Sequence, residues 1–455
     1  MACGYSQVAG VDFTENYAPV INDITFRILL IAMIVWKLEG KIIDVETAFL
    51  HGDLDEDIYM DCPEGLDAED DECLQLQRTI YGLVQAARQY FKKFIGGLKQ
   101  IGFEGGQVDP CLLMKENNGE RIYIGTYVDD NACIGTQSLI NETIEELQKL
   151  GFKLKVMDDF TDYLSCEIIF SKDKTKAWLG QPHLLKKLEK TFGELTKGLS
   201  SYKTPGTPGH NVTRPTTNSE RISAEEQKLY RSGVGMLLYL VKYSRPDIAN
   251  AVRELSKSMD GATRGSYREM LRVVKFVLET KNKGLRIEPK RKIDEWDLIT
   301  LSDSDYAGDQ ENRISVSGFI LYLMGVAISW RSKGQRSVTL SSSEAEYVAL
   351  SEAAKEIKFV VQILQSMKIP VKIPVIVRVD NVGAIFMTEN VTTSNRTRHV
   401  DIRYHFVREF VEDGFIKIIF VKTADNDADL FTKNVNAETY QRHATKFLSD
   451  REKFN

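Results

Sequence analysis

The chain lacks the features that mark membrane or secreted proteins. Its longest apolar run, 28–36, follows Arg27 and falls far short of the roughly 20 residues of a membrane span, so it reads as a buried helix. The start, Met1-Ala2-Cys3-Gly4-Tyr5, has neither the basic nor the apolar region of a signal peptide. Six cysteines (Cys3, Cys62, Cys73, Cys111, Cys133, Cys166) include no C-x-x-C pair and no zinc spacing, which predicts reduced, intracellular, structural thiols. A cytoplasmic protein is expected, with a virus-like particle or the nucleus as alternatives and no membrane partner. There is no internal repeat and no protease, integrase or zinc-knuckle motif. A basic excess is missing too: the net charge is −6, which is awkward for a protein that grips nucleic acid. The acidity is local, however, concentrated from Asp53 to Glu72. Basic groups gather at Lys281-Asn282-Lys283, Lys290-Arg291-Lys292, Arg331-Ser332-Lys333 with Arg336, and Arg396 to Arg408. Each run alone is more often a solvated face than a groove.

What the chain does have is carboxylates at the ends of apolar runs. Tyr123-Ile124-Gly125-Thr126-Tyr127-Val128 is β-rich, Asp129-Asp130 follows, and Asn131-Ala132-Cys133-Ile134-Gly135 resumes as a strand. A hairpin presenting two aspartates is predicted, although Asp-Asp in a bare match is more often a plain turn. Adjacent strand residues point to opposite faces, so Asp129 is assigned the principal role and Asp130 a secondary one. Lys41-Ile42-Ile43-Asp44-Val45 likewise reads as a buried strand with a carboxylate near its end. Three such acids suit Mg²⁺, a hard cation that takes oxygen ligands, and two such ions about 3.5–4 Å apart can clamp an in-line phosphoryl transfer.

The surrounding motifs make the context specific. Gly10-Val11-Asp12-Phe13, Ala18-Pro19-Val20, Asp44-Val45-Glu46-Thr47-Ala48-Phe49-Leu50-His51-Gly52-Asp53-Leu54, Ile58-Tyr59-Met60 and Pro63-Glu64-Gly65 occur in that order. Ile80-Tyr81-Gly82-Leu83-Val84-Gln85-Ala86-Ala87-Arg88, Asp109-Pro110-Cys111-Leu112, Tyr127-Val128-Asp129-Asp130 and Ser244-Arg245-Pro246-Asp247-Ile248 follow. Over nearly its whole length the chain resembles the reverse transcriptase and RNase H region of copia-type retrotransposon Pol. The resemblance implies an α/β (α+β) protein: a right-hand palm-and-fingers polymerase, a helical connection and an RNase H-like domain. It implies Mg²⁺ (with Mn²⁺ as the alternative) on Asp44, Asp129 and Asp130. Phe49 would lie under the incoming sugar, where a ring selects against a 2′-hydroxyl. Gln85 would sit beside the nascent base pair, and Tyr127 would complete the substrate contacts. Outside the resemblance, Phe49 reads as core and Gln85 as a surface residue.

The boundaries expected are 1–198 for fingers and palm, 199–222 for a linker rich in Pro, Ser, Thr and Gly, and 223–292 for a helical thumb or connection. The RNase H-like domain is expected over 297–440, with a tail at 441–455. Within 297–440, strands near 298–303, 318–323, 327–331 and 375–380 surround a helix over 342–357 capped by Ser341 to Ser343, a βββαβα pattern. Asp303, Glu346, Asp380 and Asp429 would be its metal-holding acids. Asp305 shares a strand face with Asp303. Glu344 lies about 200° around the helix from Glu346, so only one of those two can face the site.

Three departures from the family stand out. An Arg expected on a fingers strand to hold the triphosphate has no counterpart ahead of Met1, which predicts incomplete fingers. Val84 replaces a usual Lys. Ser165 in Leu164-Ser165-Cys166-Glu167 stands where the family has Gly, a residue that tolerates positive φ. The expected function is RNA-dependent DNA polymerase with RNase H, acting on RNA template, DNA primer, deoxynucleoside triphosphates and RNA–DNA hybrid, as a piece of a longer polyprotein. The alternatives are a nucleic-acid-binding relic and a hybrid nuclease alone. His399 and His405, in the last basic run, are assigned no chemistry.

Overall fold

The computed structural model describes residues 2–454 except 64, 67, 68, 70, 71, 291–294 and 390–400, and for 389 and 401–405 the backbone only. Part of the acidic stretch, Arg291, Lys292, Arg396 and His399 therefore lie outside the described residues, as does the His405 side chain. The chain forms two compact units, Met1–Leu164 and Ser165–Asn455.

The apolar run predicted as a buried helix is α1 (Asp23–Trp36), capped by the Asn22 side chain, which accepts from the Ile24 N–H, and ended by Lys37 in the left-handed region. Every side chain from Ile24 to Ile34 is buried, as expected of a helix without a polar stripe. Asp109 anchors it: its Oδ2 accepts from Thr25 Oγ1 at 2.6 Å and from the Asn22 N–H at 3.0 Å. The sheet beside it comprises β1 (Glu39–Val45), β2 (Glu104–Gly105), β3 (Leu112–Asn117), β4 (Glu120–Tyr127), β5 (Asp130–Gly135) and β6 (Leu154–Met157). Their order is β2-β3-β4-β5-β1-β6. Helices α2 (Ala86–Gln100) and α3 (Gln137–Lys149) bury Tyr90, Phe94, Leu98, Leu139, Ile140 and Leu147 in a core with Ile43, Ile122, Ile124 and Cys133 from the sheet.

In the second unit, β7 (Cys166–Phe170), β8 (Ala177–Gly180), α4 (Pro182–Thr196), α5 (Ala224–Tyr243), α6 (Ala249–Ser256), α7 (Arg264–Glu279) and β9 (Lys283–Ile287) precede the nuclease-like part. That part is β10 (Leu298–Asp305), β11 (Val316–Leu323), β12 (Val326–Gly334), α8 (Ser342–Ser366), β13 (Val375–Val379), α9 (Val382–Glu389), α10 (Asp401–Glu412) and β14 (Ile416–Phe420). Its sheet runs β12-β11-β10-β13-β14, antiparallel among the first three strands and parallel from β10 to β13 to β14. This is the strand order of the RNase H fold that the βββαβα pattern anticipated. Helix α8 continues to Ser366, past the expected 357, because Val360, Val361, Ile363 and Leu364 keep its inner face apolar.

The division of the chain differs from the sequence-based boundaries in two places. Residues 165–198 pack with the second unit, and 441–455 are not a free tail. After α11 (Ala437–Ala444), strand β15 (Leu448–Asp450) pairs with β9, which pairs with β8, which pairs with β7. The indole N–H of buried Trp178 donates to the Ser449 carbonyl at 3.2 Å. That indole bond joins residues 271 apart in the chain, which local patterning does not encode. The stretch expected as an exposed linker is also partly buried: Thr204, Pro205 and Gly206 are covered, and a Cβ on Gly206 would meet the Asn434 side chain at 2.4 Å. Its backbone is satisfied by side chains instead of a ladder, with Arg272 donating to the Gly206 carbonyl and Asn434 to the His210 carbonyl.

Candidate metal centres

In the first unit the two apolar strands bring their acids together by register. Asp44 of β1 lies opposite Asp130 of β5, and the Val45 N–H donates to the Asp129 carbonyl at 3.3 Å. Tyr127, half-buried, pairs with Asp130 across the hairpin, so Val128 and Asp129 form the tip. Val128 takes φ +54°, a conformation that costs a β-branched residue about 1–3 kcal/mol. Asn131 clamps the tip, donating from Nδ2 to the carbonyls of Ile43 (3.1 Å) and Asp129 (2.8 Å). Burial and the Asp129 charge raise the Asp44 carboxyl, with Lys155 opposing. Burial, then Asp129 and Asp44, raise Asp130. Mutual repulsion of this kind is what a bound cation relieves.

Phe49 is half-buried with its ring 4.7 Å from Tyr81 and 6.3 Å from Tyr90. Gln85 is 1% exposed, and its amide is closed within the chain: Nε2 donates to the Asp12 carbonyl at 2.9 Å and Oε1 accepts from Gln7 at 3.0 Å. It is therefore an interior residue, not the surface residue that its polarity suggests.

In the second unit Asp303 is on β10, Glu346 in the first turns of α8 and Asp380 immediately after β13. Among the described residues, these three form the one acidic group whose ligand atoms all lie within 4.8 Å of one another. Ser304 fixes Glu346 through its N–H, which donates to Oε1 at 3.2 Å. The other oxygen, Oε2, is buried without a hydrogen-bond partner. A carboxylate with one oxygen tethered and the other buried and unsatisfied fits an oxygen-seeking divalent cation. Burial raises the Glu346 carboxyl, and the charges of Asp303 and Asp380 add to the effect. Glu344 is half-buried and spends Oε2 on the Leu340 N–H at 2.7 Å, outside the cluster. Asp305, half-buried, is also outside it.

Asp429 reaches this end of the sheet on a 3₁₀ turn (Asp427–Phe431). Asn426 is fully buried and donates from Nδ2 to the Ser302 carbonyl at 3.0 Å. Asp427 accepts from Tyr322 Oη at 2.9 Å and pairs with His443 Nδ1 at 2.7 Å. Gly318, opposite Asp303 in the register, lets the turn approach, since a Cβ there would come within 2.7 Å of Thr432 and 2.8 Å of Phe431. Thr432 Oγ1 donates to Asp303 Oδ2, and Lys433 Nζ lies 3.0 Å from Asp429. Neither Thr432 nor Lys433 was singled out from sequence. Their spacing from Asp429, three and four residues along a turn, was the available signal.

Comparison with known proteins shows what the chain is similar to. Residues 1–205 match the family described as reverse transcriptase (RNA-dependent DNA polymerase). The chain is 33% identical over 447 residues to the Retrovirus-related Pol polyprotein from transposon TNT 1-94 of Nicotiana tabacum, covering 96% of itself and 33% of that protein. To the corresponding polyprotein from transposon RE1 of Arabidopsis thaliana it is 31% identical over 455 residues, covering 98% of itself and 30% of the relative. Over nearly its whole length the chain is similar to copia-type Pol polyproteins. It carries a reverse transcriptase region followed by an RNase H-like fold, and spans about a third of the length of these relatives. Among solved structures, LC11-RNase H1 isolated from compost covers 31% of this chain and 94% of its own at 17% identity, with a TM-score of 0.24.

Proposed function

We propose that this Pol segment is an RNA-dependent DNA polymerase in its first unit and a ribonuclease H in its second. The reading is carried by one observation: each unit has its own acidic centre at strand ends, Asp44 with Asp129 and Asp130, and Asp303 with Glu346 and Asp380. Those residues, with Asp429, would hold Mg²⁺ or Mn²⁺. A divalent cation there supplies charge stabilisation at phosphoryl oxygens and a more acidic bound water or hydroxyl. The chain's own groups do the positioning. In the first unit Asn131 holds the hairpin tip that presents Asp129, and Tyr127, Phe49 and Gln85 are assigned to the nucleotide and template. A contact from Gln85 to a base pair requires it to exchange its bonds with Gln7 and Asp12. In the second unit the Ser304 N–H and the Thr432 hydroxyl each hold one oxygen of Glu346 and Asp303. The substrates are RNA template, DNA primer, deoxynucleoside triphosphates and RNA–DNA hybrid, and the partners are the other parts of the polyprotein.

The test is primer extension on poly(rA)·oligo(dT) and cleavage of an RNA–DNA hybrid, with and without Mg²⁺. Asp129→Asn should abolish extension and spare cleavage, whereas Asp303→Asn should do the reverse. Loss of both activities from one substitution in a folded protein would count against two independent centres. A second reading, a hybrid nuclease alone, is favoured by the closed amide of Gln85 and the tighter clustering of acids in the second unit. Cleavage without any extension by the parent chain would select it.

A further inference from the structure

Tyr90, on α2, has no part in the proposed chemistry, yet it lies behind the acids of the first unit. It is 2% exposed, with its ring 5.8 Å from Phe94 and edge-on to Phe49 at 6.3 Å. A buried tyrosine hydroxyl ordinarily finds a partner. Tyr90 Oη has none among the described residues. Burial raises the phenol above its ordinary value, the Asn131 amide opposes, and the charges of Asp129 and Asp44 add to the effect. The hydroxyl therefore keeps its proton and remains a donor. Asn131, on β5, has the complementary lack. It is fully buried and spends Nδ2 on the carbonyls of Ile43 and Asp129, but Oδ1 has no donor among the described residues. Only one of the two amide orientations can hold those carbonyls, because the flipped form would set Oδ1 against both.

We infer that Tyr90 donates its hydroxyl hydrogen to Asn131 Oδ1 and so positions the hairpin tip that carries Asp129. A buried orphan donor beside a buried orphan acceptor gains more by closing than a small torsional shift costs. The bond locks the amide in the orientation that grips the two carbonyls. One of these, the Asp129 carbonyl, belongs to a tip already strained at Val128, φ +54°. The Val45 N–H donates to the same carbonyl, so the strand carrying Asp44 is tied to the same junction. On its other side Tyr90 touches Phe49, the ring assigned to the incoming sugar. One side chain of α2 thus connects that ring to the backbone of Asp129. Phenylalanine at this position would keep the ring contacts and leave the amide unlocked.

The inference rests on the reading of Asp44, Asp129 and Asp130 as a polymerase centre, and one arm of the experiment needs no activity. Hydrogen exchange with mass spectrometry is followed on the full, metal-free chain. In Tyr90→Phe, peptides covering 43–47 and 126–131 should exchange about fivefold faster, the factor that the net worth of one hydrogen bond represents. Peptides from α1 should exchange as in the parent. Phe94→Leu disturbs the same stack without touching the hydroxyl, and should not single out the tip. In an Asn131→Leu chain, Tyr90→Phe should add nothing, because the acceptor is already gone. Single-turnover extension at saturating deoxynucleotide, a rate independent of the fraction folded, should slow about fivefold in Tyr90→Phe. Parent-like exchange at the tip in Tyr90→Phe overturns the inference. So does equal acceleration by Phe94→Leu, further acceleration in the Asn131→Leu chain, or a loosened tip with an unchanged single-turnover rate. A parent chain that extends no primer sinks the polymerase reading instead, and exchange still decides the bond.

Discussion

Thr432 donates its hydroxyl to Oδ2 of Asp303, joining the closing turn of the nuclease fold to its first strand across 129 residues of chain. Both side chains are buried, so neither has water as a substitute partner. Thr432→Val keeps the shape and deletes the donor. It should cost about 1–3 kcal/mol of stability, the penalty for leaving a buried acceptor unsatisfied. Hybrid cleavage should fall with it while primer extension is unchanged. Thr432→Ser should behave as the parent in thermal unfolding and in cleavage, and equal losses for Ser and Val would sink this account.

The acids of the second unit also predict how stability follows pH. Burial pushes Asp303 up to about 8, with Lys433 opposing and the charge of Asp429 adding. A carboxyl raised in the folded state favours folding while protonated, and that contribution is lost as pH rises from the unfolded value near 4 through the folded one. Metal-free protein should therefore lose stability between about pH 4 and pH 8, and Mg²⁺ should restore more of it at pH 8 than at pH 5, where protons compete for the ligands. Asp303→Asn should raise the metal-free unfolding midpoint at pH 8 while abolishing cleavage. A midpoint that does not change between pH 5 and pH 8 without metal would contradict the assignment.

Phe447 links the C-terminal segment to the turn that carries Asp429. It is 1% exposed and its ring lies 6.4 Å from that of Phe431. Phe447→Ala should destabilise the second unit by about 3–5 kcal/mol, the usual range for deleting a buried aromatic side chain. Cleavage should be lost at temperatures where extension persists, because Phe431 belongs to the turn that presents Asp429. Proteolysis of the two units followed by mass spectrometry would show whether the loss is confined to the second.

Ser165 carries the strain that its family position foretold. It sits at φ +59° directly after Leu164 at φ +56°, a conformation in which glycine has no steric penalty. Ser165→Gly should raise stability by up to about 1 kcal/mol, the relief of left-handed strain less the extra chain entropy of glycine. A drop in the unfolding midpoint would mean that the serine hydroxyl matters more than the backbone.

Much of this architecture is legible in the sequence because acids that close apolar runs announce strand ends. Asp44, Asp129, Asp303 and Asp380 are all readable in that way; helical geometry says that only one of Glu344 and Glu346 can face the site, and the family resemblance selects Glu346. Gln85 was not readable, because burial of a polar side chain depends on partners such as Gln7 and Asp12 far away in the chain. The segment around Pro205 and Gly206 looked like a linker for a related reason. Its hydrogen bonds come from Arg272 and Asn434, so it has no periodicity of its own. The shared sheet of β7, β8, β9 and β15 was hidden because its strands are short and two of its neighbours lie at opposite ends of the nuclease fold.

That last pairing has a consequence for how the molecule is made. β9 ends at Ile287 and its edge partner β15 begins at Leu448, so the entire nuclease fold is threaded between two adjacent strands. On a ribosome adding about 5–20 residues each second, β9 waits roughly ten to thirty seconds with one edge open. During that interval the nascent chain exposes an unpaired strand, the kind of surface on which neighbouring chains dock and aggregate. The RNase H-like fold is thus synthesised on an unfinished foundation, which β15 closes once it has emerged.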